Sequence, residues 1–226
     1  MRGGATARFV AATMSSLRQL LTAHAPLLLL DAASARVQVG WFEGADPARA
    51  IWAAVDEEAG TGVFRGLENL GVDVGRARAF AFCEGPGSVL GIRTTAMALR
   101  TWGVLEARPV FAYGSLALVA EALGPGDVTV IADARRDLWH ALTRGSGLRR
   151  VPASALTGEL VMPENFRAWS TVPADVRRVP YSLAELWPRV ADADLLRATD
   201  APDAFLHEEP NYATWTPQIH RAPAQK

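Results

Sequence analysis

The sequence predicts an α/β protein of two lobes, each a mixed sheet flanked by helices, and three observations carry that expectation. The first is Leu27-Leu28-Leu29-Leu30, an unbroken apolar run that closes on Asp31. A tight Ala33-Ser34-Ala35 connection and an alternating stretch at 37–41 follow it. A continuous apolar run suits a strand buried on both faces, and alternation suits a strand covered on one. The second is the return of this plan. Val128-Thr129-Val130-Ile131-Ala132 runs into Asp133, followed by an Arg135-Arg136 turn, an apolar stretch at 138–142 and a Gly145-Ser146-Gly147 hairpin. A recurring supersecondary plan indicates internal duplication, although residue identity between these two copies is weak. The third is Glu84-Gly85-Pro86-Gly87-Ser88, set between an apolar strand at 79–83 and a helical stretch. Two glycines around a proline let the backbone turn sharply from one to the other.

Composition narrows the function classes. Half of the 226 residues are hydrophobic and 21% are charged, the balance of a soluble globular protein with ample core material. A net charge of -1 provides no electrostatic footprint for nucleic acid or an anionic membrane, so RNA contact must be local or supplied by a partner. Cys83 is the only cysteine, which excludes an internal disulfide and cysteine-rich zinc sites and suits a reducing cytoplasm. No apolar run reaches membrane-spanning length. The short apolar patch between Phe9 and Met14 does not have the form of a secretory signal; 1–13 reads as a loose extension, with Met14 a candidate start.

Between these landmarks the remaining elements follow in order. A short amphipathic helix starts at Ser15 or Ser16, buries Leu17, Leu20 and Leu21, and ends at Pro26. Residues 48–55 form a third strand. At 57–70, Val63, Phe64, Leu67 and Leu70 share a helical face, but Gly60, Gly62 and Gly66 each cost roughly 1 kcal/mol against alanine in a helix interior. Two readings stay open here: a helix whose glycines admit another backbone closely, or a frayed surface helix. Ser88 caps a helix running to about Leu105, apolar nearly all round through Ala96, Met97, Ala98, Leu99 and Trp102, as in a core or an interface. A strand at 109–112 and a helix from Ser115 to the Gly124-Pro125-Gly126 stop come next. From 152 to 203, short apolar pieces separated by prolines show no pattern, and 208–212 is polar and extended.

The chemistry-bearing residues admit two readings each. The loop GPGSVLGIR lacks the Lys of a Walker A motif and the third glycine of a dinucleotide loop. Gly85, Gly87 and Ser88 can cradle a phosphate at a helix N-terminus, or can simply turn the chain. Asp31 and Asp133 can hold a magnesium-bound nucleotide, or can cap turns. The histidines are scattered with no His-x-x-x-His pair, so no metal ligand or catalytic residue is assigned. Cys83 reads as an inert buried thiol, and the seven tryptophans read as core and interface mass rather than stacking platforms.

Two lobes that each begin with strand, Asp and hairpin are the architecture of the actin-like and sugar-kinase-like ATPases, in which acidic turns and a glycine-rich loop face an interlobe cleft. The expected fold class is thus the two-lobed actin-like ATPase (ASKHA, ribonuclease H-like) fold. Residues 1–26 form an extension and short helix, 27–114 the first lobe and 115–226 the second with its tail.

Within that class four segments resemble the TsaB (YeaZ) family. GPGSVLGIR is similar to that family's GPGSFTGLR loop, and LLLLDAAS to its opening strand ending in Asp-Thr-Ser. VIADARRDLWHAL resembles its Ile-Asp-Ala-Arg hairpin segment, and EEPNY its terminal Glu-Pro-x-Tyr. They occur in the family's order. The chain departs from the pattern at Ala32, at Val89-Leu90, around Glu58 to Thr61 and at Ala213-Thr214.

The resemblance implies kinship with the glycoprotease-like proteins. It implies a non-catalytic subunit for making threonylcarbamoyladenosine in tRNA, activating a metal-bearing TsaD-like homologue. Pairing through the first lobe's helices maps to 57–71 and 88–106, with Val63, Phe64, Leu67, Leu70, Arg93 and Met97 as interface residues. No tightly bound cofactor is implied; ATP or ADP with magnesium at the complex interface, a homodimer of the free chain, and tRNA contact only within the complex are the associated expectations. The alternatives are an actin-like or sugar-kinase-like ATPase acting alone through Asp31 and Asp133, and a diverged peptidase-like paralogue.

Overall fold

The apolar run at 27–30 becomes an inner strand of a seven-stranded sheet in the computed structural model, which describes residues 14–206. In the first lobe, β1 (Met14–Ser16) leads into α1 (Leu17–His24), then β2 (Leu27–Asp31), β3 (Val37–Phe42), β4 (Ile51–Val55) and α2 (Ala59–Leu70). β5 (Ala79–Gly85), α3 (Val89–Leu105) and β6 (Val110–Gly114) complete its core, and α4 (Ser115–Leu123) leads out. The second lobe holds β7 (Thr129–Asp133), β8 (Leu138–Thr143), β9 (Arg149–Pro152), β10 (Leu160–Pro163), β11 (Arg177–Val179) and α5 (Leu183–Arg189). Finally β12 (Asp194–Ala198) returns to pair with β6 and β1 in the first sheet.

The duplication is visible in the pairing. In the order β4-β3-β2-β5-β6 the first two pairs are antiparallel and the last two parallel. The five-stranded sheet repeats this as β9-β8-β7-β10-β11. The expected fold class, two mixed sheets flanked by helices, is what the chain forms. No helix among the described residues is long and apolar enough to cross a membrane.

Packing resolves the open readings. Residues 59–70 are helical, and the glycines are the reason the helix can lie low on the sheet. A Cβ on Gly66 would sit 2.5 Å from Val39 Cγ2, and one on Gly62 2.8 Å from Val37 Cγ2. Successive side chains of a strand point to opposite faces. With Val37 and Val39 under α2, Gln38 faces the other way, where its Oε1 accepts from Leu183 N at the start of α5 at 2.9 Å. β3 is therefore covered on both faces, and its expected exposed face does not exist. The capping predictions hold: Ser16 and Gln19 form a reciprocal capping box on α1, and Ser88 Oγ accepts Gly91 N at 3.3 Å.

Other expectations need correction. The third strand begins only at Ile51, after a 3-10 turn at Pro47–Arg49. α3 is not buried all round. Ile92, Thr95, Ala96 and Leu99 face the core, while Leu90, Met97 and Val104, seven residues apart, form an exposed stripe. The stretch 152–203 carries three strands and a helix, each too short for a periodic signal. The Glu208–Tyr212 resemblance lies outside the described residues.

Candidate functional site

Asp31 closes β2 with a carboxylate that is wholly enclosed. Its Oδ1 accepts Ala33 N at 2.8 Å, and its Oδ2 accepts the hydroxyls of Tyr113 at 2.6 Å and Tyr181 at 2.7 Å. Tyr113 comes from β6 of the first lobe and Tyr181 from the second, just before α5. Gln38 braces the same place by donating to Tyr181 O at 2.9 Å. Burial pushes the Asp31 carboxyl above its ordinary range, against the pull of the Tyr113, Tyr181, Ala33 and Cys83 donors. The same burial, beside Asp31, pushes Tyr113, Tyr181 and Cys83 well up, so the thiol is held as an un-ionised buried group. Asp31 is a tie between lobes rather than the expected magnesium or nucleotide ligand: it is buried, three donors from within the protein engage it, and it does not line the cleft.

An open cleft of about 740 Å³ lies beside this tie. Ala32–Ala35, the start of α2 and the start of α3 form one wall; Ala132–Arg135, His140, Phe166, Arg167 and Trp169 form the other. Gly87, Ser88 and Asp133 line it, whereas Asp31 and Gly85 do not. Gly85 is buried and adopts a φ of 115°, a left-handed conformation that explains its glycine.

The loop's other glycines serve close packing. A Cβ on Gly87 would lie 2.4 Å from Ala33 O, and one on Gly91 2.2 Å from Ala32 O. Ser88 N donates to Ala33 O at 2.7 Å, and Ser115 Oγ donates to Pro86 O at 2.6 Å. The loop thus docks α3 onto the turn after β2, with the Ser88 amide and hydroxyl both engaged internally. Gly91→Ala is expected to destabilise the protein by about 1–3 kcal/mol through this backbone clash, read as a lower urea midpoint, while Gly60→Ala, in open space, is expected to be neutral or stabilising.

Asp133 reaches the cleft but is likewise occupied. Its Oδ1 accepts Arg135 N at 2.6 Å; its Oδ2 accepts Trp169 N at 2.9 Å and Ser170 N at 2.6 Å. Partial burial would raise its pKa, but these donors outweigh burial and hold the carboxyl below its usual range. Neither acidic turn leaves an oxygen set for a magnesium-nucleotide, and no group of His, Cys, Asp and Glu among the described residues could hold a metal. The residues present do not fit that cofactor.

The carboxylate of Asp133 instead orders two cleft residues that residue pattern had not distinguished. The Arg135 guanidinium lies over the Trp169 ring, 4.3 Å from its centroid. Trp41, Trp139 and Trp187 are buried as expected, but Trp169 is 59% exposed. Its position in the patternless stretch hid this role.

The expected interface residues divide. Val63 and Leu67 are buried and Leu70 is half-buried, because the face of α2 that carries them packs on the sheet. Phe64 is 52% exposed on the other side of α2, Met97 is 59% exposed on α3, and Leu90 and Val104 reach 72% and 86%. Arg93 is exposed but shares Asp203 with Arg100, each pair at 3.4 Å.

No family model matches the chain, and no curated protein matches it in sequence. Solved structures do. YeaZ from Pseudomonas aeruginosa superposes with a TM-score of 0.56 at 18% identity, covering 80% of this chain and 99% of the other. An uncharacterised protein described as similar to the peptidase YeaZ from Pseudomonas aeruginosa superposes with a TM-score of 0.50 at 20% identity, covering 74% and 89%. At these identities the likeness concerns the path of the chain, and the chain has the two-lobed actin-like fold that these YeaZ structures share.

Proposed function

We propose that this protein is a YeaZ-like, non-catalytic subunit of the cytoplasmic machinery that makes threonylcarbamoyladenosine in tRNA, and that it activates a TsaD-like catalytic homologue. The observation that carries the reading is the exposed stripe Leu90, Met97 and Val104 on α3, together with the exposed Phe64 on α2. Side chains of this size facing water, on two helices that pack together, form the apolar centre of a docking face. The sequence resemblance and the YeaZ-like fold support the identity of the partner. Arg93 and Met97 remain interface residues; Val63 and Leu67 act from beneath by holding α2 in place. In the absence of the partner the same face pairs two copies of the chain, and tRNA meets the protein only within the complex. The engaged carboxylates of Asp31 and Asp133 argue against a stand-alone ATPase, and no observation favours a peptidase.

Co-expression with the TsaD-like homologue of the same organism, followed by sizing, tests the reading. The wild type is expected to co-elute with the homologue. Met97→Asp and Leu90→Asp are expected to abolish co-elution while leaving the melting temperature within a few degrees, since exposed positions shift stability by only about 0.5 kcal/mol. Assembly that survives both substitutions would overturn the mapped face.

A further inference from the structure

The outer edge of β4 lacks the features that keep sheet edges apart, and we propose that a second copy of the chain pairs with it. The pairing joins two seven-stranded sheets into one across a two-fold axis. This assignment does not depend on the subunit reading.

Among the described residues four strands end the two sheets, and three of them are guarded. β1 is three residues long, and its register shifts between Ser15 and Ser16. β9 carries Arg149, Arg150 and Pro152, and β11 carries Arg177 and Arg178. Short length, irregular register, charge and proline are the devices by which sheet edges avoid pairing with other chains. β4 has none of them. Its five residues, Ile51-Trp52-Ala53-Ala54-Val55, are all apolar and pair with β3 in unbroken register. Its outer row of N–H and C=O groups meets no strand among the described residues. On this edge Ile51 is 47% exposed, and Ala54 is exposed as well.

The edge is also complementary to itself. A two-fold contact presents one patch to its own copy, and two edge strands paired in this way run antiparallel. Residues opposed across such a pair share a face of the sheet, so the axis passes beside a residue and not between two. Placed at Ala53, it engages the whole strand: Ile51 opposes Val55, and Trp52 opposes Ala54. Ile51 gains an apolar neighbour, and the small Ala54 leaves room for the indole. Arg49 and Glu57, both exposed, stand four residues to either side of Ala53. The same axis therefore sets Arg49 of one copy against Glu57 of the other, twice over. Within its own chain Glu57 approaches Arg65 only at 3.9 Å, which leaves it available to a second cation. Any other axis position leaves part of the apolar strand unopposed and loses the charge match. The edge lies apart from the α3 stripe, since α3 packs on β5 and β2, and β2 is two strands in from β4. A chain that holds a partner on α3 can thus still pair through β4.

Sedimentation velocity of the whole chain over a range of concentrations tests the pairing. Met97→Asp serves as the background, because it removes association through α3. In that background the chain is expected to dimerise, and the outward amides of 51–55 to exchange more slowly with solvent as concentration rises. Arg49→Glu and Glu57→Arg each set like charges opposite one another at two symmetric places. Each is expected to weaken the dimer about tenfold or more. The double variant is expected to restore it, a rescue that a purely structural role for either residue would not produce. Because both positions are exposed, the melting temperature is expected to stay nearly unchanged. The proposal is overturned if the Met97→Asp protein stays monomeric, if the single substitutions leave its dimer intact, or if the double variant does not recover. It is also overturned if the outward amides of 51–55 are protected while the chain is monomeric, which would mean that a segment of the same chain covers the edge. The subunit reading fails separately, through co-elution of the α3 stripe variants with the TsaD-like homologue.

Discussion

Asp31→Ala is expected to lower stability by about 3–5 kcal/mol, enough to leave much of the protein unfolded at moderate temperature. The substitution removes the acceptor for two buried tyrosine hydroxyls and one backbone amide, and nothing nearby replaces it. It also opens a void where two lobes meet. Urea unfolding followed by tryptophan fluorescence reads the effect; a midpoint within 10% of wild type, on an order-of-magnitude error scale, would contradict the tie. Tyr181→Phe, which deletes one donor without a cavity, is expected to lose less, about 1–2 kcal/mol.

The same group has a pH signature with an unusual sign. The Asp31 pKa is raised in the folded state, so between the unfolded value and the folded one the native protein keeps a proton that the unfolded chain has released. Stability from the neutral carboxyl is complete below the unfolded pKa and is lost as pH rises through this window. Lowered carboxyls such as Asp133 contribute in the opposite direction. Comparing Asp31→Asn with wild type isolates the Asp31 part: the variant's relative stability is expected to increase as pH rises from about 4, near the unfolded aspartate value. A difference that stays flat with pH would show that the carboxyl does not titrate differently on folding.

Leu67→Asp is the second large effect, expected to cost about 4 kcal/mol or more. Leu67 lies in the core where α2 rests on β3 and β4, and Gly62 and Gly66 bring the helix so low that a polar group there cannot reach water. Phe64→Asp, three residues earlier on the outward side, is expected to change stability by less than about 1 kcal/mol. Thermal melts of the two variants separate the inward and outward faces of α2. Equal losses would mean that the helix is rotated from the described position.

Sequence periodicity assigned α2 four apolar positions on one face, yet Phe64 turns outward. Helical spacing relates neighbours to each other but does not say where the sheet lies. The glycines supply that information only once β3 is in place, because their meaning is the room they leave for Val37 and Val39. The GPGS loop carries the same lesson. A glycine required by a phosphate and a glycine required by a carbonyl 2.2 Å from its missing Cβ are identical in sequence.

What the sequence determined by itself is local and strong: the buried strand ending in Asp31, its copy ending in Asp133, the Ser16 and Ser88 caps, and the proline and glycine stops. Each follows from preferences of the backbone and from apolar pattern within one element, which neighbouring residues alone can express. The tertiary structure alone decided what the two aspartates do. Asp31 meets Tyr181 150 residues away, and Asp133 meets Trp169 36 residues away. The two aspartates look equivalent in the duplicated plan, but burial made one a tie between lobes. Partial exposure made the other the support of an aromatic wall. Contacts made across such separations depend on which sheet each short strand joins, and no local window contains that choice.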